Sequence, residues 1–357
     1  MKILYFSSIP WGWIKQRPQF IVEALGLYPD IYVDYVALVP FPKQIYPILK
    51  YEKHISYFLF SVCPFASKMS WIEKVNAFFI KKFLENRQYD KIILTDPRQL
   101  TFIPKKNKNI NIIYDCMDNL PAFFSGKKSE HKIYIEQKMF RYIDKAIVSS
   151  KTLKEVLLAR NPSFSRQHII VVNNALSDQY VQSCMTKAHL RLKSPSMLYV
   201  GTIDDWIDFS AIEQLKGTFP DWNIYLVGPC RVKKNIINRL AGVHFMPPVP
   251  HSHIRELCQQ AELLLMPFKI NELILSVNPV KIYEYIASGK PILSSYWPEL
   301  NYFLEKYPNL YFYTKNLQPS EVFKNINFEK VCVSDSFIKE NTWSSRAKDY
   351  YKILKSI

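Results

Sequence analysis

Short apolar runs punctuate the first half of the chain: Lys2–Phe6, Ile31–Val39, Ile55–Val62, Lys91–Thr95, Asn111–Tyr114, Lys145–Ser150 and His168–Asn173. They are too short for helices, and most are continuous rather than alternating, so they predict buried strands. Between them, Gln16–Leu25 and Ser70–Asn86 carry apolar residues at helical spacing. From Ser177 to Ser194 the pattern weakens, which predicts a linker. A second alternating set follows, with strands predicted over Met197–Gly201, Asn223–Gly228, Val243–Phe245, Glu262–Pro267 and Pro291–Ser295. Helices are predicted between these strands around 208–219, 231–241 and 251–261, and a terminal one over Trp343–Leu354. Strands that alternate with helices make parallel βαβ units, so the class is α/β. The predicted organisation is two Rossmann-like domains, 1–176 and 195–340, with a cleft between them. Residues 341–357 form a helix crossing back onto the N-terminal domain.

Composition narrows this picture. The chain has 357 residues, 48% apolar and 15% aromatic, enough for two domains that each bury a core. Only 8 glycines are present and no Gly-x-Gly-x-x-Gly occurs, so a nicotinamide or flavin site has no local support. The six cysteines form no Cys-x-x-Cys pair, which argues against a zinc site or disulfide framework and for a reducing cytosol. Met1–Pro10 lacks a small-residue cleavage site and reads as a first core strand. No apolar run approaches the length of a membrane span.

The net charge of +16 is uneven. Residues 1–175 hold 26 Lys+Arg against 14 Asp+Glu, and residues 176–357 hold 21 against 17, so the first half carries +12 of the excess. Nucleic acid and an anionic membrane face are the two partners that would explain it. Aromatic residues mixed with lysines over Ile55–Phe83 favour the membrane. A strand followed by an ordinary core helix is the plain alternative.

The densest chemistry lies in Asn278–Ser295. Pro279 suits a helix start, Gly289 a left-handed helix stop, and Pro291 ends the helix before a new strand. A helix N-terminus with free N–H groups, Lys281 beside it and Glu284 one turn on would hold a nucleotide diphosphate. The cationic end takes the phosphates and the carboxylate accepts the ribose hydroxyls. This stretch resembles the donor-binding signature of GT-B glycosyltransferases similar to family 4, through Pro279, Lys281, Glu284, Tyr285, Ala287, Gly289, Lys290 and Pro291.

The resemblance carries further expectations. Trp11-Gly12-Trp13-Ile-Lys-Gln16-Arg17-Pro-Gln resembles a segment of some bacterial polysaccharide glycosyltransferases, which makes these residues candidates for acceptor binding, Arg17 as the cation. Asp115-Cys-Met-Asp118 resembles the family's loop after a central strand, and Asp118 is the expected general base, with Asp115 structural. Gly201-Thr202 would bring backbone to the donor diphosphate, and Gly228, Arg231 and Lys233 would follow the next strand, with Lys281 completing the cationic set. Ser276 stands where retaining relatives carry a first glutamate, and Glu272 is off register, so inversion and retention both stay open. Asn278 and Val280 open the helix. His251 and His253 receive no role. No Asp-x-Asp pair is convincing, so no metal or other cofactor is expected beyond the nucleotide-diphospho-sugar itself.

The resulting expectation is a cytoplasmic glycosyltransferase, peripheral to the inner membrane face. It would pass sugar from a nucleotide-diphospho-sugar to a saccharide or lipid-linked saccharide in capsule, exopolysaccharide or lipopolysaccharide assembly. A nucleotide-sugar epimerase of the same fold, a sugar-binding relative without turnover and a basic nucleic-acid-binding protein are the alternatives. No helix-turn-helix, zinc finger or RNA-binding aromatic signature supports the last of these.

Overall fold

A computed structural model describes residues 1–12, 15–40, 50–52, 54–62, 70–104, 110–182 and 190–356. The chain divides into unit 1, Met1–Asn174 with Trp343–Ile357, and unit 2, Ala175–Thr342.

Unit 1 is built from β1 (Lys2–Ser7), α1 (Arg17–Leu25), β2 (Tyr32–Pro40), β3 (Lys50–Glu52), β4 (Ile55–Val62), α2 (Ser70–Glu85), β5 (Lys91–Leu94), β6 (Asn111–Cys116), α3 (Lys127–Phe140), β7 (Lys145–Val148), α4 (Lys151–Arg160) and β8 (Ile169–Val171). Among the described residues its sheet runs β3-β4-β2-β1-β5-β6-β7-β8. Every pairing is parallel except that of β3 with β4, which gives the edge an antiparallel strand. Residues Ile3 to Phe6 of β1 are fully buried, as a strand covered on both faces requires.

Unit 2 follows with α5 (Asp178–Gln182), β9 (Ser196–Val200), α6 (Phe209–Thr218), β10 (Asn223–Val227), α7 (Lys234–Arg239), β11 (Val243–Met246), α8 (Ile254–Gln260), β12 (Leu263–Met266), α9 (Glu272–Leu275), α10 (Val280–Ser288), β13 (Ile292–Ser295), α11 (Asn301–Leu304), β14 (Leu310–Tyr313), α12 (Pro319–Phe323) and α13 (Asp335–Glu340). Its all-parallel sheet is ordered β11-β10-β9-β12-β13-β14, so the winding direction reverses between β9 and β12. Helix α14 (Trp343–Lys355) then belongs to unit 1 again, packed along α1 with Trp343 stacked on Phe20, centroids 5.2 Å apart. The described parts of the predicted linker, 177–182 with helix α5 and 190–194, belong to unit 2.

Candidate functional site

In an open parallel sheet the crevice for a ligand lies beyond the carboxyl ends of the strands where the winding reverses. In unit 2 that point is flanked by the loop after β9, which starts at Gly201, and the loop after β12, which contains Phe268. The β9 and β10 loops are joined through backbone: Ile203 N–H donates to the Pro229 carbonyl and Arg231 N–H to that of Ile203. Gly201 and Gly228 have φ of +148° and +147°, a region open to glycine and strained for other residues. A Cβ on Gly228 would stand 2.2 Å from the Gly201 carbonyl oxygen, and one on Gly201 would stand 2.6 Å from Lys281 Nζ. Gly228 is therefore required by close backbone approach as well as by φ, whereas at Gly201 the close contact is with the movable end of Lys281.

Lys281 reaches this point from the first turn of α10. Its ammonium lies 5.0 Å from the Tyr199 ring centroid and 5.6 Å from that of Phe268, and among the described residues no carboxylate neutralises it. Two π faces hold the cation over a bare glycine backbone, leaving its charge for a ligand. Helix α10 begins with Pro279 in the cap position, one residue earlier than expected, with no side-chain cap and no acid in the first turn. The positive end of its dipole thus lies at the same helix end as the Lys281 ammonium. Gly289 ends the helix at φ +74°, the left-handed stop its sequence predicts.

Glu284, one turn beyond, is buried, and its Oε1 accepts from His251 Nε2 at 2.8 Å. Its backbone carbonyl accepts from the Tyr180 hydroxyl at 2.9 Å. One carboxylate oxygen is therefore engaged, and among the described residues Oε2 has no hydrogen-bond partner. His251, given no role from sequence, positions this carboxylate. The two residues are 33 positions apart, and no local spacing signals the contact.

Arg231 is exposed and its guanidinium stands 3.9 Å from the Asp204 carboxylate, while Lys233 is exposed just ahead of α7. The acids of the Gly201–Asp208 run thus meet part of the nearby positive charge. Ser276 does not fit the role expected of it: it is fully buried and its hydroxyl donates to the Leu273 carbonyl at 2.8 Å, closing the end of α9. Asn278 is also buried, its Oδ1 accepting from the Tyr283 hydroxyl at 3.1 Å.

In unit 1 the winding reverses at β1, and the Trp11-Gly12 loop follows it. Trp11 packs on Tyr57 and Tyr35, centroids 4.1 and 4.8 Å away, and Gly12 is exposed at φ +89°. Trp13 lies outside the described residues. Gln16 opens α1, its N–H donating to the Gln19 side chain. Arg17 corrects the sequence expectation. It is buried, with Nε donating to Asp115 at 3.1 Å, one terminal nitrogen to the Val172 carbonyl and Asn174, and the other to the Tyr350 hydroxyl. Burial opposes its charge, but Tyr350, Asp115 and Tyr5 outweigh that and hold its pKa up. This cation ties α1, β6, the end of unit 1's first segment and α14 together rather than meeting a substrate. Asp115 is fully buried and also accepts from the Tyr5 hydroxyl at 2.6 Å, the structural acid expected of it. Asp118 is solvent-exposed on the following loop. The next residue, Asn119, anchors that loop by accepting from Arg160 at 2.9 Å.

No family model matches the chain. The protein is 25% identical over 203 residues to TuaH of Bacillus subtilis (strain 168), assigned as a glycosyltransferase of teichuronic acid biosynthesis. That match takes in 52% of this chain and 51% of TuaH, so the chain spans about half the length of the curated relative it matches. Among solved structures, the E. coli trehalose-6-phosphate protein bound with UDP-2-fluoro glucose superposes with a TM-score of 0.71 at 11% identity, over 100% of this chain and 99% of that one. Anabaena HepE in complex with UDP and glucose gives 0.65 at 14% identity, over 100% of both chains. The lipopolysaccharide outer core galactosyltransferase WaaB gives 0.61 at 14%, over 100% and 99%. These likenesses show the fold, which is GT-B with two Rossmann-like units.

Proposed function

We propose that the protein is a glycosyltransferase of cell-surface polysaccharide assembly, in which unit 2 binds a nucleotide-diphospho-sugar. The observation that carries this reading is Lys281 Nζ held over Gly201, at the strand-order reversal and beside an uncapped helix start. The full-length likeness to structures solved with UDP and the partial likeness to TuaH support it.

In this reading the diphosphate lies along the Gly201 and Gly228 backbone, against Lys281 and the first N–H groups of α10. Glu284, oriented by His251, accepts from the ribose through Oε2. Arg231 and Lys233 add longer-range attraction. Sugar–phosphate cleavage places negative charge on the leaving diphosphate, where these preorganised donors act. Asp118, exposed on the loop after β6, takes the proton of the acceptor hydroxyl. Attack by a hydroxyl so activated inverts the anomeric centre. No metal is needed, because the cation and the helix terminus supply the charge.

The acceptor is a lipid-linked saccharide, and unit 1 meets the anionic membrane face that carries it. Helix α2 exposes Trp71, Val75, Phe78 and Phe79 next to Lys74 and Lys82. Phe123 and Phe124 are also exposed, with Lys132 over the Phe124 ring, and α3 shares with α2 the 3₁₀ turn Pro97–Phe102. Apolar side chains rimmed by lysines are suited to an anionic lipid interface.

The test is to incubate the chain with a panel of nucleotide sugars, with and without a polyprenyl-linked saccharide, and to measure released nucleoside diphosphate. Release from one donor, lost in Glu284→Ala, is expected. Release from none, or release unchanged in Glu284→Ala, would overturn the reading.

A further inference from the structure

Unit 2 holds a second concavity, of about 780 Å³, at the carboxyl ends of β12, β13 and β14. It lies on the α6 side of the sheet and adjoins the Lys281 site through Phe268, which lines the cavity and whose ring centroid is 5.6 Å from Lys281 Nζ. The connections β9-α6-β10 and β12-α10-β13 run in opposite directions along the sheet, and right-handed crossovers then place α6 and α10 on opposite faces. The cavity opens at the start of α6 and at α12, which packs against α6.

Two polar atoms in its wall are buried and, among the described residues, have no hydrogen-bond partner: the Tyr313 hydroxyl and Gln214 Oε1. Such groups are rare in folded proteins because a buried donor or acceptor left unpaired loses its water without compensation. Tyr313 is 6% exposed. Asp208 and Ser295 lie near its hydroxyl, but neither meets bonding geometry. Burial first, and the Asp208 charge second, raise its pKa, so it stays a neutral donor. Gln214 Nε2 donates to Gln318, so its amide is oriented with one atom unsatisfied.

The remaining wall defines the ligand. Tyr296 offers a partly exposed ring, suited to an apolar sugar face. Lys315 is exposed and, among the described residues, has no ion-pair partner; Lys269 stands nearby, donating to the Asp205 carbonyl. Asp208 is turned to cap α6, accepting from Ala211 N–H at 3.2 Å. A donor, an acceptor, an aromatic face and two cations fit a hydroxyl-rich ring with an anionic substituent. We propose that this cavity is a second carbohydrate site, next to the donor site, that takes a saccharide unit bearing a carboxylate.

The proposal does not rest on the transferase reading, since binding is measured without donor. The experiment is calorimetry of the full chain with trigalacturonate and with neutral maltotriose, on wild type, Tyr313→Phe, Lys315→Glu and Glu284→Ala. Trigalacturonate is expected to bind at least about tenfold more tightly than maltotriose, and each of Tyr313→Phe and Lys315→Glu to weaken it about tenfold, the scale of one lost hydrogen bond or ion contact. Glu284→Ala should leave trigalacturonate binding intact. Absence of binding, equal binding of both trisaccharides, or indifference to both cavity variants would overturn the proposal, and so would loss confined to Glu284→Ala. Lys315 is on the surface, so its variant keeps the test valid if Tyr313→Phe folds poorly.

Discussion

Replacing Gly201 by alanine builds a methyl group 2.6 Å from Lys281 Nζ and 2.8 Å from its Cε. Ordinary contact begins near ~3.5 Å, so the ammonium must retreat by about 1 Å. It can, because it ends a flexible side chain. The φ of +148° adds strain of about 1–3 kcal/mol. The substitution should therefore cost modest stability while removing Lys281 from the anion it serves. A charge-assisted contact is worth about 1.5–3 kcal/mol, which is roughly 10- to 100-fold in nucleoside diphosphate affinity. Gly228→Ala is the contrast. Its Cβ would meet the Gly201 carbonyl oxygen at 2.2 Å, backbone against backbone, with no rotamer to turn. Its cost should exceed ~4 kcal/mol and unfold unit 2. Calorimetry with nucleoside diphosphates and thermal unfolding would read both. If Lys281 carries the effect, Gly201→Ala costs no further affinity in a Lys281→Met background. Wild-type affinity in Gly201→Ala, additivity with Lys281→Met, or a Gly228→Ala chain as stable as Gly201→Ala would refute the reasoning.

Arg17→Ala would leave the buried Asp115 carboxylate without its cation, and thermal unfolding should show a loss of about 3–5 kcal/mol; a loss under about 1 kcal/mol would return Arg17 to the substrate side. Glu136 is buried, and burial, opposed by Arg160, raises its pKa from 4.5 to about 7. A raised carboxyl favours the folded state most below the unfolded value, so stability should decline between pH 4.5 and about 7, by about 3 kcal/mol at ~1.4 per unit. Chemical denaturation across that range should show Glu136→Gln with a flatter slope, and an unchanged slope would rule out this group. Phe78→Ser with Phe79→Ser should weaken binding to phosphatidylserine vesicles about tenfold with little change in melting, because both rings are already exposed; equal binding would remove α2 from the membrane face. Turnover should survive EDTA, since the proposed charge stabilisation comes from Lys281, the α10 N-terminus, Arg231 and Lys233; turnover lost in EDTA and restored by a divalent cation would refute it.

Most of the strand pattern was legible because buried parallel strands are continuous apolar runs, as Lys91–Leu94 and Leu263–Met266 show. Helix α3 was missed because Lys127–Phe140 carries charges on most of its surface and buries few residues. Edge strand β14 was missed too, its Leu310–Tyr313 run being half-buried and short. The α10 signature announced Lys281, Glu284 and the Gly289 stop because they lie within one helix, where spacing is geometry. What sequence could not show was pairing between distant segments. Arg17 finds Asp115 across 98 residues, and Glu284 finds His251 across 33. An arginine followed by a proline at a helix start looks the same whether it faces a ligand or the core. Only the buried partners, Asp115 and Tyr350, decide it.

The account stands on Lys281 and the α10 N-terminus holding a diphosphate. The most direct measurement compares, by calorimetry, the affinity of a nucleoside diphosphate with that of the same nucleoside in wild type and Lys281→Met. We expect a large gain from the diphosphate in wild type and the loss of most of that gain in Lys281→Met, with nucleoside affinity unchanged. A gain of equal size in both proteins would contradict the central claim.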